Sequence, residues 1–281
     1  MAGRIIEIPR KLPGPKGNVT FVNTMRQKIT DMCRISLVAA DRTRLNGIFH
    51  PGRRNADGLG FAVVHGFTNH VGKPAVRRIL HHFGQCAPTV GVDFRGHGRS
   101  GGKTTVGADE VIDLDAAVGF LRERGCHRVV TVGFSLGGSV VIRQAALSEH
   151  APDAAVAVSS PARWWVRDTA AMRRVHWLLE HPAGRLAARL LGVRLGPEWR
   201  EVPRSPIELV SQVRIPLLLV HGAEDHYFPP AEAVALSEAG NGELWLVPGM
   251  RHAESSVTPD LADRIMRWAR DTVAMTDPGR G

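Results

Sequence analysis

The sequence predicts an α/β fold in which a mostly parallel, eight-stranded sheet is flanked by helices on both faces. Short apolar or β-branched runs recur along the chain, and each ends near Gly, Pro, Asp or His, as buried strands do. Segments with helical periodicity separate the later runs, and this alternation is typical of a parallel sheet. A short turn at residues 41–44 joins the first two runs, which predicts an antiparallel hairpin there.

Eight strands and four clear helices follow from these patterns. The predicted strands cover residues 35–39, 45–49, 61–64, 89–92, 129–132, 154–158, 215–220 and 244–247. The predicted helices cover residues 111–122, 140–147, 231–239 and 261–273. The interval 160–205 has strands on both sides but contains no strand-like run, which predicts a small helical lid inserted after the sixth strand.

One core with an insertion is the simplest organisation for a chain of 281 residues. The predicted parts are an N-terminal extension over 1–34, a core over 35–159 and 206–273, the lid over 160–205, and a flexible tail over 274–281. A composition of 43% hydrophobic and 22% charged residues excludes a largely disordered chain.

No secretory leader or membrane span is predicted. Charge and proline interrupt Ile5, Ile6 and Ile8 before a secretory apolar region could form. The longest uncharged apolar stretch, around 215–220, is far shorter than the about 20 residues that a spanning helix needs. The three cysteines form no CxxC pair, which favours a reducing compartment and predicts a cytoplasmic location.

The basic charge of the chain does not by itself predict a nucleic-acid partner. The net charge of +9 comes mainly from arginines dispersed among acidic residues, and no nucleic-acid recognition motif accompanies them. The predicted lid is the most basic part, with nine arginines against four acidic residues. Bidentate pairing by these arginines would suit an anionic substrate, such as a carboxylate or a coenzyme A thioester, although a solvated face has the same composition.

Four of the six tryptophans lie in the predicted lid. Aromatic side chains bury large areas, so we expect Trp164, Trp165 and Trp177 to line a substrate site. The alternative is that these side chains only seal the lid onto the core.

The segment Gly133-Phe134-Ser135-Leu136-Gly137 matches the pattern GxSxG. A β-branched strand precedes it and an amphipathic helix can start just after Ser135. A sharp strand-to-helix turn needs small residues on both sides, and it pushes the serine into a strained conformation with its hydroxyl exposed. Ser135 is therefore the predicted nucleophile.

A serine hydroxyl needs an adjacent base, and histidine has a suitable pKa. His252 follows the last predicted strand and Asp225 follows the strand before it, so both are expected at the carboxyl edge of the sheet. Glu224 is the alternative carboxylate. His65, His97 and His221 are expected to be structural hydrogen-bonding residues beside turns. No HExxH pattern occurs, and no metal site is predicted.

Five segments taken in order resemble α/β hydrolases over roughly residues 35–273. They are VVHGF at 63–67, DFRGHGRS at 93–100, GFSLGG at 133–138, HGAED at 221–225 and PGMRH at 248–252. The resemblance is to a lidded serine esterase, thioesterase or lipase-like member of the superfamily. It implies that the backbone N–H groups of Phe67 and Leu136 form an oxyanion hole, and that no metal or organic cofactor is needed.

The expected activity is hydrolysis of a small or medium acyl ester or thioester through a Ser135–His252–Asp225 triad and an acyl-enzyme intermediate. The same triad could serve an acyltransferase, a C–C hydrolase or a cyclase of a biosynthetic pathway, because one fold hosts many reactions. A second class is a non-catalytic protein that binds anions or nucleic acid. A small-molecule partner and a monomer or homodimer are expected.

Overall fold

The structure is a computed structural model that describes residues 5–7, 32–52 and 57–275. Within these ranges the sheet has nine strands, in the order β1-β9-β8-β7-β6-β4-β5-β3-β2. The strands are β1 Ile5–Glu7, β2 Cys33–Val38, β3 Arg44–His50, β4 Leu59–Val64, β5 Thr89–Val92, β6 Arg128–Phe134, β7 Ala154–Val158, β8 Leu217–Gly222 and β9 Glu243–Val247. The predicted α/β class and mostly parallel sheet are confirmed.

The eight predicted strands correspond to β2–β9, and β1 is an addition. It pairs in parallel with β9, with Ile5 opposite Leu244. Three residues are too few to show the alternation by which a strand is recognised in a sequence, so this edge strand was not predicted. It lies within the predicted N-terminal extension.

The predicted hairpin is also confirmed. Strands β2 and β3 are antiparallel, with Val38 opposite Arg44, and β3 then pairs antiparallel with β5. The other neighbouring pairs in the described sheet are parallel. Because the carboxyl ends of parallel strands share one edge, the loops after β4, β6, β8 and β9 meet there.

Eight α-helices occur in the described part of the chain. They are α1 Pro74–Gly84, α2 Glu110–Arg122, α3 Leu136–Leu147, α4 Ala170–Glu180, α5 Pro182–Leu190, α6 Pro206–Leu209, α7 Pro230–Ala239 and α8 Pro259–Met275. Short 3₁₀ helices cover Val210–Gln212 and Ala253–Ser256.

Two apolar cores cover the two faces of the sheet. In β4, Ala62 and Val64 belong to the core that also contains α2, α3 and α7, while Phe61 and Val63 belong to the core that contains α1 and α8. This is the two-residue alternation of a strand that is buried on both faces. The sheet is thereby held rigidly between the helices, and the loops at its edge start from fixed positions.

The 160–205 segment, predicted to be a lid, contains α4 and α5 and no strand of the sheet. Two isolated bridges tie it to the core, His97 to Val193 and Thr104 to Leu195. A small separate apolar cluster, which contains Val166 and Met172 of the segment, packs against Phe228. No helix in the described ranges is both long and apolar enough to cross a membrane.

Candidate active site

Ser135 is the single residue between β6 and α3, and its backbone is strained. Its φ is 53° and its ψ is −115°, a conformation that costs a residue with a side chain about 1–3 kcal/mol. A Cβ on Gly133 would lie 2.1 Å from the Gly137 carbonyl oxygen, and a Cβ on Gly137 would lie 2.7 Å from the Val64 carbonyl oxygen. The two glycines of the motif are thus required by close backbone contacts.

Ser135, His252 and Asp225 form one hydrogen-bonded series. Nε2 of His252 lies 3.0 Å from Oγ of Ser135, and Nδ1 of His252 lies 2.8 Å from Oδ2 of Asp225. A carboxylate only accepts, so Nδ1 carries the proton and Nε2 is left to accept from the serine hydroxyl. This is the tautomer in which a histidine can act as a general base.

The Asp225 side chain is fully buried, with 0% of its surface exposed. Its Oδ1 accepts the backbone N–H groups of Tyr227 at 2.8 Å and Phe228 at 3.1 Å. Burial alone would raise the pKa of Asp225, but the hydrogen bond and charge of His252 and the Phe228 N–H outweigh it and hold that pKa below its usual value. The hydrogen bond from His252 goes to Asp225, whereas the alternative Glu224 is exposed.

Aromatic rings hold His252 in place. The Tyr227 ring stacks on it at a centroid distance of 4.3 Å, and the Phe228 ring meets it edge-on at 5.4 Å. Behind them, His221 pairs through Nε2 with the Phe228 carbonyl at 3.0 Å, and burial lowers the pKa of His221. The loop after β8 therefore supplies both the carboxylate and the packing for the histidine.

Phe67 and Leu136, the residues of the predicted oxyanion hole, line the same cavity as Ser135. Within the described residues, neither backbone N–H has a hydrogen-bond acceptor. Gly66 comes so close that a Cβ there would lie 3.2 Å from Cβ of Ser135. Two residues whose backbone N–H groups have no acceptor in the described part of the chain thus line the same cavity as Ser135.

Glu254 was not predicted to belong to the site. Glu254 is buried, with only 2% of its surface exposed, and its Oε1 accepts the Gly66 N–H at 2.7 Å. The contact joins the histidine loop to the turn that carries Phe67. An acidic residue two positions after His252 was visible in the sequence, but its partner is 188 residues away.

His65 and His97 have the structural roles expected of them. Nδ1 of His65 donates to the Gly66 carbonyl at 2.8 Å, and its Nε2 accepts the Phe94 N–H at 3.2 Å. Burial, aided by the nearby His97, lowers the pKa of His65 to about 3, so the ring is neutral. His97 is also buried and contacts the Phe67 carbonyl through Nε2 at 2.6 Å.

Ser135 and His252 open into a cavity of about 840 Å³, here called the Ser135 cavity. Beside it lies a second cavity of about 380 Å³, the tryptophan cavity, lined by Trp164, Trp165 and Trp199. Trp164 lines both cavities and Trp165 lines only the second. Trp177 lines neither; it is 46% exposed and stacks on His181. Trp199 was not among the predicted substrate-binding residues.

The arginines of the 160–205 segment that have named partners divide evenly between the segment and the rest of the chain: Arg167, Arg173 and Arg185 contact residues of the segment, and Arg163, Arg194 and Arg204 contact residues outside it. Arg185 donates to the Leu179 carbonyl at 3.0 Å, and Arg163, which lines the Ser135 cavity, pairs with Glu232 at 3.1 Å. Arg174 and Lys73 also line this cavity, and within the described residues neither forms an ion pair. Only a small part of the basic charge in the sequence therefore faces the site.

The family model described as serine aminopeptidase S33, or Hydrolase_4, matches residues 60–202, just over half of the chain. The chain belongs to this family. The resemblance to α/β hydrolases that the sequence motifs indicate is thereby confirmed. A curated relative, the uncharacterized protein YqkD of Bacillus subtilis (strain 168), is 30% identical over 171 residues. That match covers 58% of this chain and only 55% of the relative.

Solved structures of α/β hydrolases share the fold. The Pyrococcus furiosus esterase Pf2001 has a TM-score of 0.69 at 22% identity, covering 94% of this chain and 100% of its own. The hydrolase GrgF from Penicillium sp. sh18 has a TM-score of 0.67 at 17% identity, covering 86% and 99%. Est1E from Butyrivibrio proteoclasticus, solved with ferulic acid bound, has a TM-score of 0.60 at 19% identity, covering 85% and 99%. At these identities the likeness is one of fold.

Proposed function

We propose that the chain is a serine hydrolase that cleaves a small or medium acyl ester or thioester. The observation that carries the proposal is the unbroken series from Asp225 through His252 to Ser135, with hydrogen bonds of 2.8 and 3.0 Å, at the wall of an 840 Å³ cavity. A nucleophile, a base and a group that orients the base are the parts that acyl transfer to a serine requires.

The first half of the reaction forms an acyl-enzyme. Nε2 of His252 takes the proton from Oγ of Ser135 as the oxygen bonds to the acyl carbon, and the carbonyl oxygen becomes an oxyanion. The ionised Asp225 stabilises the imidazolium that results. When the tetrahedral intermediate collapses, the bond to the leaving alcohol or thiol breaks, and His252 returns the proton to it.

The free N–H groups of Phe67 and Leu136 are the proposed oxyanion hole. Donors aimed at the developing negative charge stabilise the transition state, and one such donor contributes about 2.7–4 kcal/mol. Both donors are backbone groups, so the identity of these two side chains matters little. Glu254 is proposed to hold this turn in place through Gly66.

In the second half, water replaces the leaving group. His252 takes a proton from a water molecule as the water oxygen bonds to the acyl carbon. The bond between the acyl carbon and Oγ of Ser135 then breaks, and His252 returns the proton to Oγ. The products are the free acid and the regenerated serine. The esterase Pf2001, a protein of similar fold, supports this reaction class. A cytoplasmic location and a lid role for the 160–205 segment also belong to the proposal.

The test is a panel of p-nitrophenyl esters and acyl thioesters of varied chain length, assayed with the wild-type chain and with Ser135→Ala. We expect turnover of at least one ester class by the wild type and none above background by the variant. Product analysis with added alcohols or amines separates hydrolysis from acyl transfer. Turnover that survives Ser135→Ala, or an absence of any acyl turnover alongside salt-dependent DNA binding, would contradict the proposal.

A further inference from the structure

The tryptophan cavity is a cleft lined mainly by apolar and aromatic side chains, with Arg167, Glu180, Arg185 and Glu198 also in its lining. Two of its three indole N–H groups have hydrogen-bond acceptors. The indole N–H of Trp164 donates to the Pro203 carbonyl at 2.7 Å, and that of Trp199 donates to the Thr105 carbonyl at 2.7 Å. The Trp199 ring also contacts the other two, at centroid distances of 5.5 Å to Trp164 and 5.8 Å to Trp165, and the ring surface that lines the cavity is what remains for an apolar ligand. At about 380 Å³ the cavity falls within the size range of small-molecule sites.

The tryptophan cavity shares a wall with the Ser135 cavity. Val106, Trp164, His176 and Leu179 line both cavities, so a single layer of side chains separates them. A group that extends past this layer would reach from one chamber into the other.

The backbone of one residue in this wall is strained. Val106 has a φ of 56°, which is rare for a β-branched residue. The fully buried Glu110 holds the loop around it by accepting the Thr105 N–H at 2.9 Å and the Gly107 N–H at 2.7 Å. A Cβ on Gly107 would lie 2.8 Å from the Trp164 ring, so a glycine permits this approach. The Glu110 hydrogen bonds and the close approach at Gly107 thus fix the positions of Val106 and Trp164.

The position of the wall indicates which end of the substrate faces it. Tyr227 and Phe228, which cover the His252 ring, line the Ser135 cavity but not the tryptophan cavity. Leu136, next to the nucleophile, lies beside Gly107 of the wall. The leaving group takes its proton from the histidine and so departs on the His252 side. The acyl group then extends on the Leu136 side, toward the wall.

We propose that the tryptophan cavity binds the distal apolar end of a medium-length or aromatic acyl group whose carbonyl is attached to Ser135. This inference rests on the proposed function and adds the substrate class. Trp165 and Val202, which line the cavity, are 52% and 56% exposed. Covering such apolar surface on binding would be favourable.

The experiment measures kcat/KM for p-nitrophenyl esters of increasing acyl length, with the ratio of long to short esters as the readout. In the wild type we expect kcat/KM to rise about fourfold for each methylene that enters the tryptophan cavity. Val202→Trp adds an indole to the cavity and should lower the long-to-short ratio of kcat/KM about tenfold or more, because the indole takes the place of several methylenes of the acyl chain. Trp199→Ala, which removes one wall, should lower it too.

Trp177→Ala is the matched control, because it removes an indole of the same segment that lines neither cavity; its ratio should equal that of the wild type. A crystal structure of Ser135 modified by a long-chain alkyl phosphonate should show the alkyl end among Trp164, Trp165 and Trp199. A ratio that is the same in all four proteins, or an alkyl chain that ends elsewhere, would overturn the inference. If the wild type turns over no ester at all, the proposed function fails instead.

Discussion

The carboxyl edge of the sheet and the 160–205 segment both line the Ser135 cavity, but they are built differently. At the sheet edge, Asp225 and Glu254 are buried and each has defined hydrogen-bond partners. In the 160–205 segment, Leu186 and Leu190 expose 63% and 85% of their surfaces, and the separate apolar cluster is small. One wall is rigid and polar, and the other is thinly packed and apolar.

Under the proposed function, the sheet edge carries out the chemistry and the 160–205 segment selects the substrate. A strained backbone conformation persists only where the surrounding structure holds it in place. Ser135, Ser159 and Ala253 all have positive φ at the sheet edge. The thinly packed segment can change its lining residues at small cost in stability, because exposed side chains contribute little to folding. We therefore expect substitutions at the edge to change kcat and substitutions in the segment to change which substrate is used.

The largest effect is expected for Asp225→Asn. Because the amide can donate to Nδ1, it favours the tautomer of His252 that cannot accept the serine proton, and kcat should fall about 10⁴-fold. Glu224→Gln, which changes the neighbouring exposed carboxylate, is the control and should keep kcat near the wild-type value. Ester assays at saturating substrate measure both. Equal losses in the two variants would contradict the assignment of the triad carboxylate.

A smaller loss is expected for Glu254→Ala. Without the acceptor, the Gly66 N–H is left unpaired and the turn that carries Phe67 can shift; a displacement of about 1 Å can cost about 10²-fold in rate. The loss should appear in kcat rather than in KM. Glu254→Gln keeps a side-chain oxygen that can accept this N–H and should recover most of the rate. If the glutamine variant is as slow as the alanine variant, the positioning role is wrong.

The buried edge also predicts how stability depends on pH. Burial lowers the pKa of His65 from its ordinary value of 6.5 to about 3 in the folded chain, so between these two pH values the unfolded chain binds a proton that the folded chain does not. The free energy of unfolding should therefore fall with decreasing pH below about 6.5, by up to ~1.4 kcal/mol per pH unit from this residue.

Urea unfolding at several pH values between 4 and 7 measures this dependence. His65→Asn can still donate to the Gly66 carbonyl but cannot be protonated, so its stability should fall less steeply than that of the wild type. Identical slopes for the two proteins would show that His65 does not carry this part of the acid sensitivity.

The smallest effect on stability is expected in the 160–205 segment. Leu190 is 85% exposed and lines the Ser135 cavity. Leu190→Ser should change the free energy of unfolding by no more than about 0.5 kcal/mol, while KM for an apolar ester rises and kcat stays the same. Denaturant unfolding and steady-state kinetics on one preparation test both parts. A drop in kcat would break the proposed division between the two walls.

Strands β2 to β9 could be predicted from the sequence because each is marked by its own apolar run and turn. The proximity of Ser135, His252 and Asp225 could be predicted because each follows a strand, where the parallel topology brings loops together. Glu254 could not be predicted, since its role depends on Gly66, 188 residues distant. Trp177 was assigned to a substrate site, but composition alone does not determine which side of α4 faces the cavity.

The most direct test of the central proposal is covalent labelling of the intact chain by a fluorophosphonate, followed by mass spectrometry of the peptides. The nucleophile assignment predicts one adduct per chain, on Ser135, formed quickly in the wild type and slowly in His252→Ala. It also predicts no adduct in Ser135→Ala. Labelling that persists in Ser135→Ala, or an adduct on another residue of the wild type, would contradict the account.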